Sequence, residues 1–198
     1  MRYSILIVLS TLLLSCSQDP VARPNGHMRI GLPNQSQYSD LPFDAPFEVQ
    51  INAEAKAIKK AVLSDTNSNE FWMDLAYPSI LSTVQFTYKP VSENLEELVR
   101  DAQQLAYKHT VKASGMREQF FTYPEEGVHG LYYEFSGASA TTTQFYATDS
   151  SEHFLRGVLY HYSTPNADSL APVTQFMREE LLKLIGTLKW VESENVLN

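Results

Sequence analysis

The chain has 198 residues, of which 43% are hydrophobic and 12% aromatic, enough for one packed domain. Its formal net charge is −8 at pH 7, and no basic stripe runs along it. This charge argues against binding nucleic acid through its phosphates. It also argues against holding an anionic lipid surface through the protein itself.

The first sixteen residues have the pattern of a bacterial lipoprotein signal. Arg2 supplies a positive charge, and the apolar run that follows is shorter than the roughly 20 residues of a bilayer span. The run ends in Leu13-Leu14-Ser15-Cys16, which matches a lipobox. We expect removal of residues 1–15 and lipidation of Cys16. Removing that segment, with Arg2, leaves 183 residues and a formal charge of −9.

Cys16 is the only cysteine, so its lipidation would leave no thiol for a disulfide, a nucleophile or a metal ligand. Acyl chains such as palmitate would hold the protein on a membrane. Ser17 follows Cys16, in place of the Asp that often retains a lipoprotein at the inner membrane. We therefore expect an outer-membrane lipoprotein of the cell envelope that faces the periplasm. The alternative is an ordinary signal peptide with an incidental cysteine.

Residues 16–46 are predicted to be a lipidated N-terminus and a proline-rich tether, because they hold five of the ten prolines. Such segments are extended and semi-rigid, and can stand a domain off the membrane. Within this tether, residues 29–33 look like an arm that docks on the domain, with Ile30 and Leu32 buried against the sheet. A single globular domain is predicted for residues 47–198.

The first half of that domain is predicted as strands followed by a helix. Alternating or β-rich patterns indicate strands at 47–51, 71–77 and 84–88, whereas 52–68 is ambiguous. A helix is predicted from an N-cap at Ser92 to a stop at Gly115. Its apolar face is formed by Leu95, Leu98, Val99, Ala102, Leu105 and Ala106.

The second half is predicted as four strands and a last helix. The strands are placed at 118–123, 128–135, 141–147 and 153–162, with short links that favour antiparallel pairing. The helix begins near Asp168 or Ser169, with Pro172 in its first turn. Its buried face is formed by Val173, Phe176, Met177, Leu181, Leu184 and Leu188, and Trp190 follows as an apolar plug. The fold class is therefore α+β: a mostly antiparallel sheet of five to seven strands with two long helices packed on it.

The search for catalytic chemistry finds few candidates. Asp149 and His153 could share a metal if residues 149–153 were helical. His129, His153 and His161 could meet across a sheet. We favour an Asp/Ser turn whose side chains cap backbone groups, with Arg156 paired to a carboxylate. Gly127-Val128-His129-Gly130 fits a GxxG pattern, but a tight turn is the better interpretation. No cofactor, metal or catalytic residue is assigned.

Several aromatic side chains on the predicted strands suggest a partly wet sheet face that contacts another protein. The candidate interaction surface comprises Tyr132, Tyr133, Tyr146, Tyr160, His153 and Arg156, with Tyr162 close by in sequence. Tyrosine is equally ordinary in strand cores, and we weight the core interpretation about two to one over the interface.

The order and spacing of several blocks resemble the gliding-motility lipoprotein GldD family of Bacteroidetes. The blocks are PNGHMRIGLP (24–33), WMDLAYPSILSTVQFTYK (72–89), KHTVKA (108–113), TDSSEHFLRGVLY (148–160) and NADSLAP (166–172). His27 stands where an aromatic residue such as Tyr is expected, which puts the docking of the arm in doubt rather than the membership.

The resemblance implies an envelope lipoprotein needed for gliding, a process tied to type IX protein secretion in these bacteria. It implies partners among other gliding and secretion envelope proteins, and no enzymatic activity. Only the lipidated Cys16 is carried over as a site. By analogy alone, the element order ending in a helix and Trp190 is similar to the PsbP/Mog1-like sandwich.

Three functions remain open at this stage. The first is a lipid-tethered accessory protein that acts through protein–protein contacts. The second is a periplasmic metal-binding hydrolase, which requires the histidines to converge with Asp149 or Glu152. The third is a small-ligand-binding lipoprotein with an aromatic cleft lined by Tyr132 and Tyr146.

Overall fold

The computed structural model describes residues 30–61, 69–137, 139–163 and 167–191, which contain eleven strands, two α-helices and three short 3-10 helices. In chain order the elements are β1 (Tyr38–Ser39), β2 (Phe47–Glu48), β3 (Ile51–Asn52), β4 (Lys56–Lys60), β5 (Phe71–Tyr77), β6 (Ser82–Pro90), α1 (Leu95–Lys108), β7 (Ala113–Tyr123), β8 (Val128–Gly137), β9 (Thr141–Thr148), β10 (His153–His161), α2 (Ala167–Gly186) and β11 (Lys189–Trp190). The predicted signal segment and Cys16 lie outside the described residues.

Seven of these strands form one antiparallel sheet in the order β4-β5-β6-β10-β9-β8-β7. Two small two-stranded sheets, β1-β3 and β2-β11, complete the strand pairing. The α+β prediction with a five- to seven-stranded antiparallel sheet and two long helices is confirmed. The likeness to the PsbP/Mog1-like sandwich stays a prediction.

The sheet has two buried faces because successive strand residues point to opposite sides. The face that carries Met73, Leu75 and Leu155 packs on α2 and forms the larger core. The opposite face, here called the α1 face, carries Tyr133, Phe135, Tyr146 and Phe154, which pack against α1. The fold therefore has one helix on each side of the sheet.

The arm is part of the domain from Ile30 onward. Ile30 packs against the larger core and Pro33 is buried, but Leu32 is 43% exposed, so the predicted burial of Leu32 is wrong. Strand β1 pairs with β3, and the hydroxyl of Tyr38 donates a hydrogen bond to Glu180 Oε1 at 2.8 Å. Residues 30–46 thus belong to the folded unit. The prediction assigned residues 16–46 to the lipidated N-terminus and tether, and expected only residues 29–33 of them to dock on the domain.

Helix α1 begins later and ends earlier than its sequence signals suggested. Asn94, not Ser92, occupies the N-cap position, and Glu93 before it has a positive φ of 58°. Asn94 Oδ1 accepts the backbone N–H of Ser92, which turns the chain before the helix. The helix ends at Lys108, and Gly115 lies in β7 beside a register shift, so it is not the stop.

Helix α2 buries the predicted face. Its predicted apolar residues Val173, Phe176, Met177, Leu181, Leu184 and Leu188 are all buried, Leu188 just beyond the C-terminal end of the helix. The helix begins at Ala167, before the predicted start, so Pro172 lies inside it rather than in the first turn.

Candidate functional site

Most of the predicted interaction surface lies in the core. Tyr132 and Tyr133 are consecutive on β8, so they point to opposite faces of the sheet, and both are buried. Tyr146 and His153 are buried as well. Burial raises the pKa of the Tyr132 and Tyr133 hydroxyls, which stay neutral. The four buried side chains present no surface to a partner, and this part of the prediction is corrected.

The same burial removes the proposed aromatic cleft for a small ligand. Tyr132 belongs to the core on the α2 side, and Tyr146 belongs to the cluster beneath α1. The two rings therefore lie on opposite sides of the sheet and cannot line one cleft.

Asp149 closes a turn and is not arranged as a metal ligand. Its Oδ1 accepts the backbone N–H groups of Ser151, Glu152 and His153 at 3.0, 3.0 and 2.9 Å. Burial alone would raise the pKa of Asp149, but these hydrogen bonds outweigh it and hold the pKa below its usual value. Throughout the described ranges, no group of three or more His, Cys, Asp or Glu side chains could hold a metal ion.

The strand histidines are each held by hydroxyl groups. His153 Nδ1 lies 2.8 Å from the Tyr88 hydroxyl, and His129 Nε2 lies 2.7 Å from Ser150 Oγ. His161 Nδ1 lies 2.8 Å from Ser82 Oγ. These different partners support the interpretation of structural histidines, of which His153 is buried and His129 and His161 are half-buried.

His161 borders a cavity of about 380 Å³ between α2 and the ends of β8 and β9. Ser82 donates its single hydroxyl hydrogen to Ile80 O, so Nδ1 of His161 must donate to Ser82 and Nε2 must accept. Burial, with Arg178 nearby, lowers the pKa of His161 to about 4. The ring is therefore neutral near pH 7 but a weak base, poorly matched to general-base catalysis.

Tyr160 and Arg156, the other two predicted surface residues, share the α1 face of β10 and are half-buried. Thr87 on β6 is the cross-strand partner of both Trp72 on β5 and Arg156 on β10, so the three residues lie in one row across the sheet. Helix α1 contacts β9 and β10, where the smaller core lies. The part of the α1 face that lies beside this helix is here called the open face, and it comprises Ile58, Trp72, Thr87, Arg156 and Tyr160.

Trp72 and Ile58 give the open face its apolar character. They are 40% and 49% exposed. Trp72 was missed by the sequence analysis, although a signal was present. The buried set Phe71, Met73, Leu75 and Tyr77 alternates along β5, which leaves Trp72 on the other side of the strand.

Arg156 has no acidic partner in the part of the chain that the structure describes. Its Nη2 donates to Gln144 Oε1 at 2.8 Å, and no described carboxylate lies within 4.0 Å of its guanidinium. The predicted pairing with a carboxylate is therefore wrong. Burial lowers the pKa of Arg156, which still remains charged at neutral pH. Unlike Arg156, the two nearby lysines each form an ion pair. Lys60 pairs with Asp74 at 2.7 Å, and Lys89 pairs with Glu70 at 3.6 Å.

A groove of about 130 Å³ separates α1 from the open face. Leu98, Asp101 and Leu105 of α1 form one wall, and Thr87 and Arg156 form the floor. Leu105 was predicted to belong to the buried face of α1, but it is 39% exposed at this groove. The groove therefore combines an exposed leucine, an unpaired guanidinium and, on the adjoining strand, an exposed tryptophan.

The comparisons with known proteins agree with the resemblance noted in the sequence. The family model described as "Gliding motility lipoprotein GldD" matches residues 17–190. A search of curated proteins gives no match. Among the helices of the described ranges, none has the length and hydropathy needed to cross a membrane. Because the family model covers most of the chain, the protein belongs to the gliding motility lipoprotein GldD family.

Proposed function

We propose that this protein is a lipid-anchored, non-catalytic accessory of the gliding machinery that works together with type IX secretion. It acts by holding another envelope protein on its open face. The family match supports the link to gliding motility and to a lipoprotein. The association with secretion rests on the resemblance described above.

The observation that carries a binding role is the open face itself. Trp, Tyr and Arg are the residue types that contribute most binding energy at protein interfaces, and Trp72, Tyr160 and Arg156 lie together there. Trp72 and Arg156 lie on either side of Thr87 in the strand register, and no described carboxylate lies within 4.0 Å of the Arg156 guanidinium. The two side chains would gain contacts and a charge partner when another protein covers them.

The anchor is proposed to be lipid on Cys16, in the outer membrane and facing the periplasm. The lipobox, the Ser at position 17 and the family match support this placement. A Cys16→Ala protein is expected to lose its lipid and to leave the membrane fraction. Metabolic labelling with a palmitate analogue measures this directly.

A non-catalytic role is favoured by the state of the polar groups. Asp149 is occupied by three backbone N–H groups, and the pKa of His161 is too low for a base that works near neutral pH. The metal-binding hydrolase is therefore the weaker candidate.

The test is complementation of a strain that lacks this gene. Intact, Cys16→Ala, Trp72→Ala and Phe120→Ala copies are added back, and both export of a type IX cargo and colony spreading are measured. Phe120 is the matched control, because it is 63% exposed on the α1 face of the far edge strand β7. The intact and Phe120→Ala copies should restore both activities. The other two should restore less than about a tenth of each.

Each alternative result has a definite meaning. Normal export and spreading with Trp72→Ala would remove the open face from the function. Normal export but absent spreading in the deletion strain would separate the protein from secretion and leave a motility role. Full activity of Cys16→Ala would show that the anchor is dispensable.

A further inference from the structure

We infer that the partner on the open face contributes one amphipathic helix, which lies beside α1 and places an Asp or Glu carboxylate on Arg156. This inference rests on the proposed function and specifies the partner's chemistry. It follows from the space beside α1, the charge of Arg156 and the distribution of apolar groups.

The space beside α1 fits one helix. Helix α1 contacts β9 and β10, and among the described residues none of the apolar side chains packed against it comes from β4, β5 or β6. Neighbouring strands are about 4.8 Å apart, so β4, β5 and β6, of which β6 borders the groove beside α1 through Thr87, span roughly 14 Å. A helix with its side chains is about 10 Å across, and packed helices lie 8–10 Å apart. A second helix parallel to α1 would therefore complete the layer.

The charge of Arg156 selects an acidic residue. Among the described residues, the half-buried guanidinium bonds to the neutral amide of Gln144 and to no carboxylate, so its desolvation cost is not offset there by an opposite charge. Asp101 lines the same groove but does not come within 4.0 Å. A carboxylate from the partner could accept two parallel hydrogen bonds from the guanidinium, the geometry in which arginine binds carboxylates best.

The apolar groups select an amphipathic helix. Leu105 on α1 forms one wall of the groove, and Trp72 and Ile58 lie on the strands beyond the floor at Thr87. A helix with apolar residues at spacings of three and four would cover them with one stripe. The acidic residue would lie at the edge of that stripe, facing the sheet at Arg156.

The test is photo-crosslinking in living cells with the full-length protein. A photoreactive phenylalanine analogue replaces Trp72, or Phe120 as the control, and the linked peptide is mapped by mass spectrometry. At position 72 we expect a peptide from another protein with helical apolar spacing and an Asp or Glu within four residues of the link. Position 120 should give at least tenfold less of this adduct.

Substitutions at Arg156 test the charge. Arg156→Glu and the neutral Arg156→Gln should each lower the adduct yield at least tenfold, and Arg100→Glu, an exposed arginine on α1, should change it less than twofold. The purified Arg156→Gln domain should be at least as stable as the parent, because an unpaired half-buried charge has been removed. Lysine in place of the mapped acidic residue should restore the adduct with Arg156→Glu.

Several results would overturn the inference. They are an adduct to residues 62–68 of the same chain, an adduct to a second copy, a linked peptide without an acidic residue, or a yield unaffected by Arg156→Gln. If Trp72→Ala also supports normal export and spreading, the proposed function fails. If Trp72→Ala is defective while both Arg156 variants crosslink like the parent, only the acidic helix is wrong.

Discussion

The imidazole of His153 and the indole of Trp190 are stacked face to face, with ring centroids 5.0 Å apart and 4° between the ring planes. The indole Nε1 also donates a hydrogen bond to Gly127 O at 3.2 Å. Trp190 pairs with Phe47 across β11 and β2. The predicted apolar plug therefore joins three parts of the chain: the start of β10, the β7–β8 turn and the strand that follows the arm.

Replacing Trp190 by Ala is expected to lower the free energy of unfolding by about 2–4 kcal/mol, because a stacked aromatic contact and a hydrogen bond are lost together. Urea denaturation of the purified domain measures the change. Trp72→Ala is the matched control and should cost less than about 1 kcal/mol, since Trp72 lies on the open face. Equal losses of unfolding free energy in the two variants would contradict the structural role of Trp190.

Acid should destabilise the domain partly through His161. Its pKa is about 4 in the folded protein and about 6.5 in an unfolded chain. The stability that its neutral form provides is therefore complete above pH 6.5 and is lost as the pH falls towards 4. With a discount for solvent screening, we expect a loss of about 1–2 kcal/mol over this window.

The matched variant is His161→Asn, whose amide does not titrate. Unfolding free energies of the two proteins, measured from pH 7.5 to pH 4, should converge as the pH falls. The carboxylates titrate in both proteins and cancel in the comparison. A constant difference across the range would show that His161 does not contribute to the acid sensitivity.

The arm is expected to loosen when its bond to α2 is removed. Burial, together with the hydrogen bond to Glu180, raises the pKa of Tyr38 to about 12, so its hydroxyl stays protonated and donates at neutral pH. Tyr38→Phe should cost about 1–2 kcal/mol locally, which corresponds to roughly 5- to 30-fold faster amide hydrogen exchange in the arm. The N–H of Ala53, bonded to Gln37 O, is the most direct reporter.

Tyr107→Phe is the control for the arm, because it removes a similar bond, 2.7 Å from Tyr107 to Glu118, on the surface of the other side of the sheet. It should leave exchange at Ala53 unchanged. Equal acceleration in both variants would indicate a general loss of stability rather than release of the arm.

Gly130 should tolerate no side chain. A Cβ there would overlap the backbone carbonyl of Tyr146 on the neighbouring strand β9 and the ring of Phe121. Backbone in a central strand cannot move aside, so we expect Gly130→Ala to lower the unfolding free energy by more than about 3 kcal/mol. Gly31→Ala, where a Cβ meets nothing within 4 Å, should be nearly neutral when both variants are compared by urea denaturation of the purified domain.

The sequence predicted the central strands well where one face is uniformly apolar. Along β5, four large apolar residues alternate, and both the strand and its buried face follow from that pattern. Strand β4 was not predicted, because as an edge strand it buries almost nothing and its Lys-rich sequence has no apolar face. The turn at Gly127 was predicted, and its positive φ of 61° explains the glycine there.

The candidate site was harder to predict because it depends on what remains uncovered. Composition showed that tyrosines are abundant but not which of them are buried. The adjacency of Tyr132 and Tyr133 on one strand already implied that they point to opposite faces, and the sequence analysis did not use it. That no carboxylate of the described ranges lies within 4.0 Å of Arg156 is a property of the packed structure. The exposure of Trp72 depends on the position of α1, which packs over β9 and β10 and not over β5, and the sequence does not give that position.

The docked arm also limits the length of the tether between the domain and the proposed lipid. Because Ile30 belongs to the folded unit, at most fourteen residue steps separate that unit from the proposed lipid on Cys16, a span of about 50 Å when fully extended. A lipid on Cys16 would therefore keep the open face within a short distance of the membrane. A partner helix at the same membrane would meet the open face at a far higher effective concentration than it would meet that of a freely diffusing domain.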